Sequence, residues 1–172
     1  MSTASVDVPG AEVAGESIPF RQQLLGAAGY VSSLRRGPRA VLRRMSADPE
    51  AVPPEVFWDI VARYEIAVRD EHFWRAVLPL MVRHEHAPGV RPGVALARSG
   101  VSGARLERWL RLSHDTALAE AGRLFARVES GVDWTSLGPI LRYWTDASHR
   151  DLARQFFLSR EYRERATTTH GD

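Results

Sequence analysis

The chain of 172 residues contains no cysteine. That excludes disulfides, thiolate metal sites and cysteine nucleophiles, and it fits a reducing compartment. Lysine is missing too, so all 23 positive side chains are arginine. Arginine presents a planar fork of donors that grips phosphate bidentately and stacks on bases. GC-rich coding accounts for a preference for arginine over lysine, but not for where the arginines cluster. No long apolar run exists. The longest, Ala76 to Val82, is far short of the ~20 residues of a membrane span. The first seventeen residues, MSTASVDVPGAEVAGES, have neither a basic start nor an apolar centre and do not read as a secretory signal. A cytoplasmic, soluble protein with no membrane association is expected.

What is present is ordinary in bulk. Hydrophobic residues make up 44 % and charged residues 26 %, suited to one domain or two small ones sharing a core. The net charge of +2 is small beside a pI of about 9.5, so the distribution of charge is more informative than its sum.

Residues 1–17 are small, acidic and polar and predict a disordered leader. Beyond them period 3.6 recurs and period 2 is never sustained, which predicts an all-α fold, a compact bundle of about seven to nine helices without a sheet. Residues 18–165 are expected to form a single helical domain, with 18–87 and 94–165 as candidate sub-bundles, and 166–172 a fraying tail. The first helix is expected from Pro19 to Arg36, stopped by Gly37-Pro38. A short turn or helix carries Arg39 to Met45. Pro54 opens the next helix, with Phe57, Ile60, Val61, Tyr64 and Val68 on its inner face. A helix over 71–86 turns Phe73, Trp74, Val77, Leu78 and Met81 inward, kinked at Pro79. A short helix at 94–98 follows, then one long helix or two over 103–129, capped by Ser102 and broken near Ser113 to Asp115. Asp133 and Ser136 compete to cap the next helix, and Ser136 is preferred because it leaves Pro139 in the first turn. The last helix, 149–164, presents Leu152, Ala153, Phe156 and Phe157.

No catalytic constellation emerges. His84-Glu85-His86 invites a metal, but on a helix residues i and i+2 point to nearly opposite sides, so the segment reads as a solvated helix end. His114 beside Asp115 has no nucleophile to serve and reads as a capping or surface residue. Ser99-Gly100-Val101-Ser102-Gly103 lacks the Lys-Ser/Thr of a phosphate loop and the preceding strand of a nucleophile elbow. Glu107 with Arg111, and Asp151 with Arg154, read as surface ion pairs. The expectation is no enzyme, no cofactor, no metal and no small-molecule substrate.

The arginines are different. Arg35, Arg36, Arg39, Arg43 and Arg44 fall within ten residues, and no acid occurs between Glu16 and Asp48. Such a field suits sequence-independent contact with a nucleic-acid backbone. A solvated face and a dock for an acidic protein are the competing readings. Gly37-Pro38 is expected to place these arginines on two elements meeting at a corner. A second group, Arg105, Arg108 and Arg111, recurs every third residue while Leu106, Trp109 and Leu110 face elsewhere. Arg123, Arg127, Arg142, Arg150 and Arg154 extend the inventory, diluted by acids. The tryptophans at 58, 74, 109, 134 and 144 could stack bases, but their amphipathic positions favour core or interface.

The ordered set Gly37-Pro38-Arg39-Ala40-Val41-Leu42-Arg43-Arg44-Met45, Leu96-Ala97-Arg98-Ser99-Gly100, Arg105 to Arg111, Gly131-Val132-Asp133-Trp134, Ile140 to Trp144 and Leu152 to Phe157 resembles the CasB family. That family is the small subunit of the type I-E CRISPR Cascade complex, and the resemblance covers about residues 20–160. It implies an all-helical, non-catalytic subunit lying as two head-to-tail copies against the crRNA-bound backbone subunits and the large subunit. It further implies that basic residues hold target and displaced strands of the R-loop through phosphates while the guide reads the sequence. Arg43 and Arg44 match the family's paired basics, Arg69 its basic turn and Arg105, Arg108 and Arg111 its basic helix; Arg35, Arg36 and Arg39 rest on charge alone. Pro79, Pro139 and the acidic leader depart from the pattern. The alternatives are a helical sequence-specific DNA-binding regulator and a protein adaptor docking acidic partners.

Overall fold

A computed structural model describes residues 18–48 and 50–168; the expected leader, 1–17, and the last four residues of the expected tail lie outside them. Among the described residues there are nine α-helices, two 3-10 turns and no sheet. The helices are α1 (Phe20–Ser33), α2 (Arg36–Arg43), α3 (Glu55–Arg63), α4 (Glu71–Arg83), α5 (Pro92–Arg98), α6 (Gly103–Leu110), α7 (His114–Leu124), α8 (Trp134–Tyr143) and α9 (Asp146–Thr168). The 3-10 turns are Val68–Asp70 and Phe125–Arg127.

The apolar run noted in the sequence finds its reason in α4. Every residue from Ala76 to Val82 is buried, because α1, α2, α7 and α8 pack around this helix. A helical stretch whose every residue is covered needs no polar face. Phe73, Trp74, Val77, Leu78 and Met81 are buried as expected. Pro79 lies inside the helix and is itself buried.

Several boundaries differ from expectation, each for a local reason. Gly37-Pro38 does not stop α1; the chain already turns extended at Leu34 and Arg35, with ψ of 141° and 162°. The pair instead opens α2. Pro38 falls in the first turn, where its missing N–H has no helical acceptor, and Gly37 has no Cβ to clash with the proline ring. Arg36, Arg39 and Arg43 therefore share one helix. α4 ends at Arg83 rather than 86, since residues 85–87 pair with Val132: the Val132 N–H donates to the Glu85 carbonyl at 3.1 Å and the Ala87 N–H to that of Val132 at 3.0 Å. Residues 103–129 divide into α6 and α7, capped by Ser102 and Ser113.

Ser136 does not cap α8; Asp133 does. Its carboxylate accepts the Thr135 N–H at 2.9 Å, the Thr135 hydroxyl at 2.6 Å and the Gly89 N–H at 3.0 Å. Burial raises the Asp133 pKa, but these donors outweigh it and the net shift is downward. Three donors satisfied exceed the one helical hydrogen bond that Pro139 removes from the interior. α9 is longer than expected at both ends.

Four side chains depart from their expected environments. Val68 is 82 % exposed, on the 3-10 turn after α3 rather than on its inner face, and Phe157 is 39 % exposed. His114 is half-buried rather than a free surface side chain: its Nε2 lies 2.6 Å from the Leu141 carbonyl and its ring stacks on Trp144. His84 is buried, not solvated, and neither ring nitrogen makes a hydrogen bond of ordinary geometry. Burial holds its pKa below the ordinary histidine value, helped by the charge of Arg83, and the Val128 backbone only partly opposes this.

Candidate nucleic-acid interface

α2 packs across the C-terminal half of α4, α4 packs on α7, and α7 on α6. This order joins the two arginine groups that the sequence keeps sixty residues apart. Arg83, in the last turn of α4, donates from Nη2 to the Arg43 carbonyl at 3.3 Å. A methyl group built on Gly122 of α7 would stand 3.4 Å from Arg83 Nη1. One residue on, the Arg123 carbonyl accepts from Arg105 Nη2 of α6 at 2.6 Å. A ridge thus runs Arg43, Arg83, Gly122–Arg123, Arg105, with Arg44 at its α2 end and Arg108 one turn along α6. Sequence reasoning missed Arg83; only the packing of α2 on α4, forty residues apart, gives it this place.

The charges along the ridge are largely uncompensated. Arg35, Arg36, Arg43, Arg44 and Arg108 are exposed, and their side chains make no ion pair or hydrogen bond among the described residues. Arg83 and Arg105 bond backbone carbonyls, which orient a guanidinium without neutralising it. Orientation lowers the entropy lost when the group later meets an anion. Between Arg43, Arg75 and Arg83 lies a depression of about 200 Å³, floored by Pro79, Leu80 and Leu118.

Other expected site residues stand apart. Arg39 sits on the Glu85 carboxylate at 2.9 Å and near the Val82 carbonyl at 3.4 Å, so its charge is met within the fold. Arg111 faces Glu107 at 3.7 Å, as the i,i+4 spacing predicts, and Arg123 pairs with Glu120. Arg69 is exposed on the 3-10 turn before α4. It lies at the opposite end of that helix from Arg83, about 20 Å along a thirteen-residue rod. Its neighbour Asp70 holds Arg142, whose Nη2 is 2.9 Å from both carboxylate oxygens and whose guanidinium lies 4.2 Å over the Phe20 ring. Arg142 thus serves the fold. The expected Asp151–Arg154 pair does not form; Asp151 accepts from Gln155 at 2.7 Å.

Of the tryptophans, Trp74, Trp109 and Trp134 are buried and Trp144 half-buried, while Trp58 is 44 % exposed. His84 and His86 are used separately: His86 Nδ1 accepts the Trp134 N–H at 3.2 Å. Among the described residues no three histidines or carboxylates cluster to hold a metal, and no helix is long and apolar enough to cross a membrane.

Comparison with known proteins agrees with the resemblance read from the sequence. No curated protein sequence matches the chain. Among solved structures, a chain of E. coli Cascade bound to a PAM-containing dsDNA target shares the fold at a TM-score of 0.68 and 20 % identity, covering 81 % of this chain and 97 % of that one. The profile of the family described as CRISPR-associated protein Cse2 matches residues 38–159, well over half of the length, and the chain belongs to that family.

Proposed function

We propose that this chain is the small, non-catalytic subunit of a type I-E Cascade complex, and that its arginine ridge holds DNA strands of the R-loop by their phosphates. The carrying observation is the continuity of Arg43, Arg83 and Arg105 across four helices. A line of guanidinium groups without matching carboxylates binds a polyanion of regular charge spacing and reads no bases. Exchange of a DNA duplex for a guide heteroduplex is nearly balanced, so a few phosphate contacts suffice to tip it toward the open R-loop. Family membership and the fold shared with a Cascade chain support a place in such a complex; a position beside the backbone and large subunits, with a second copy of this chain as neighbour, is what the family resemblance implies.

Titration of the full chain against random single- and double-stranded DNA over a salt series tests this reading. Affinity that falls steeply with salt and ignores sequence is expected. A sequence-specific pseudo-palindromic site would favour a regulator instead, and no affinity at low salt an adaptor for acidic proteins. Co-purification with a crRNA-containing complex tests the assembly.

A further inference from the structure

Where the ridge reaches α6, a groove of about 320 Å³ opens between α6 and α7. We propose that this groove seats one unpaired nucleobase of the strand whose phosphates follow the ridge; the inference rests on the phosphate-binding reading above. The floor is apolar, formed by Trp109, Leu112 and Leu124, and the rim carries Arg105, Arg108 and Arg123. The volume lies at the small end of ligand pockets, about 300 Å³ and upward, so a nucleobase fits and a helix does not.

The floor is held in shape from behind. The Trp109 indole N–H donates to the Ala117 carbonyl of α7 at 2.9 Å, and its ring packs edge-on against Trp144 at 4.6 Å. From the front, Arg105 on the Arg123 carbonyl closes one end. The one carboxylate lining the groove among the described residues, Glu120, is taken by Arg123, so the rim formed by these residues keeps net positive charge. An apolar slot ringed by guanidinium groups fits a flat ring with anions on either side, which describes a nucleotide within a strand. The accessible side of the floor is the half-buried Leu112 with the Arg105 and Arg108 stems, which would contact any base, so no sequence preference is implied. An acidic peptide with an apolar anchor would meet the same charges, but continuity with the ridge favours the strand, whose displaced bases are unpaired and seek stacking or apolar cover.

The test compares an oligothymidine with an abasic sugar-phosphate oligomer of equal length, bound to the full chain over a salt series. The thymidine oligomer is expected to bind at least about fivefold more tightly, with the same salt slope. Thr116 is exposed at the groove mouth, and Thr116→Leu should reduce oligothymidine binding to the abasic level while leaving abasic binding unchanged. Photo-crosslinking with 5-iodouracil oligomers, read by peptide mapping, should mark residues 105–124. Equal affinities for the two oligomers, or crosslinks confined to other segments, overturn the base seat and leave the phosphate reading standing. Absence of binding by either oligomer at every salt concentration overturns both.

Discussion

Replacing Arg43, Arg44 and Arg108 together by alanine removes three ridge charges that hold nothing in place. Their side chains are exposed and make no contact by ion pair or hydrogen bond among the described residues, so the unfolding free energy should change by no more than about 0.5 kcal/mol per site. Binding should change far more. With Arg83 and Arg105, these three make five ridge guanidinium groups without a carboxylate partner among the described residues. At about 0.7 counterions released per single-strand phosphate, the wild-type salt slope should be about −3.5 and that of the triple variant about −1.4. Between 50 and 200 mM salt the wild type should therefore lose about 130-fold in affinity and the variant about 7-fold. Fluorescence anisotropy of a random single-stranded oligomer over a salt series measures both slopes. Coincident slopes would mean that the polyanion lies elsewhere on the protein.

Further substitutions probe the scaffold. A methyl group on Gly93 would meet the Leu152 carbonyl at 2.6 Å and the Phe156 nitrogen at 2.8 Å, so Gly93→Ala should force α5 from α9 and cost about 3 kcal/mol in urea melts. Asp70→Asn leaves the largely buried Arg142 guanidinium without its carboxylate and should cost about 2 kcal/mol, with ridge binding unchanged. Burial holds His84 below its unfolded value, so the unfolded chain takes up a proton first as pH falls. Stability should be full well above pH ~6.5 and decline as pH drops through that value toward the lower folded pKa. Burial depresses His149 likewise, so His84→Leu should flatten the decline without abolishing it.

Much of the fold is legible in the chain because period 3.6 and local caps are local signals. Ser102 and Ser113 cap the helices that follow them within three residues. What could not be read depends on partners distant in sequence. Asp133 wins α8 from Ser136 through the Gly89 N–H, forty-four residues away, and His84 leaves the helix because residues 85–87 meet Val132. The same division runs through the candidate site. The arginine cluster at 35–44 and the repeat at 105–111 stand out in one dimension. Arg39's capture by Glu85, forty-six residues on, and the bridging place of Arg83 arise only when α2 lies on α4. Arg111's pairing with Glu107, four residues away, was visible because helix geometry alone creates it.

On the proposed function, oriented guanidinium groups without carboxylate partners hold DNA in an open R-loop without reading or cutting it. R-loop lifetime on a matched target, measured in the assembled crRNA complex with wild-type chain or with Arg43→Ala/Arg83→Ala/Arg108→Ala, tests it most directly. The variant complex should still assemble and still open the target but release it many-fold faster, with the deficit growing as salt is raised. An equal lifetime at every salt concentration, in a complex of unchanged composition, would contradict this function.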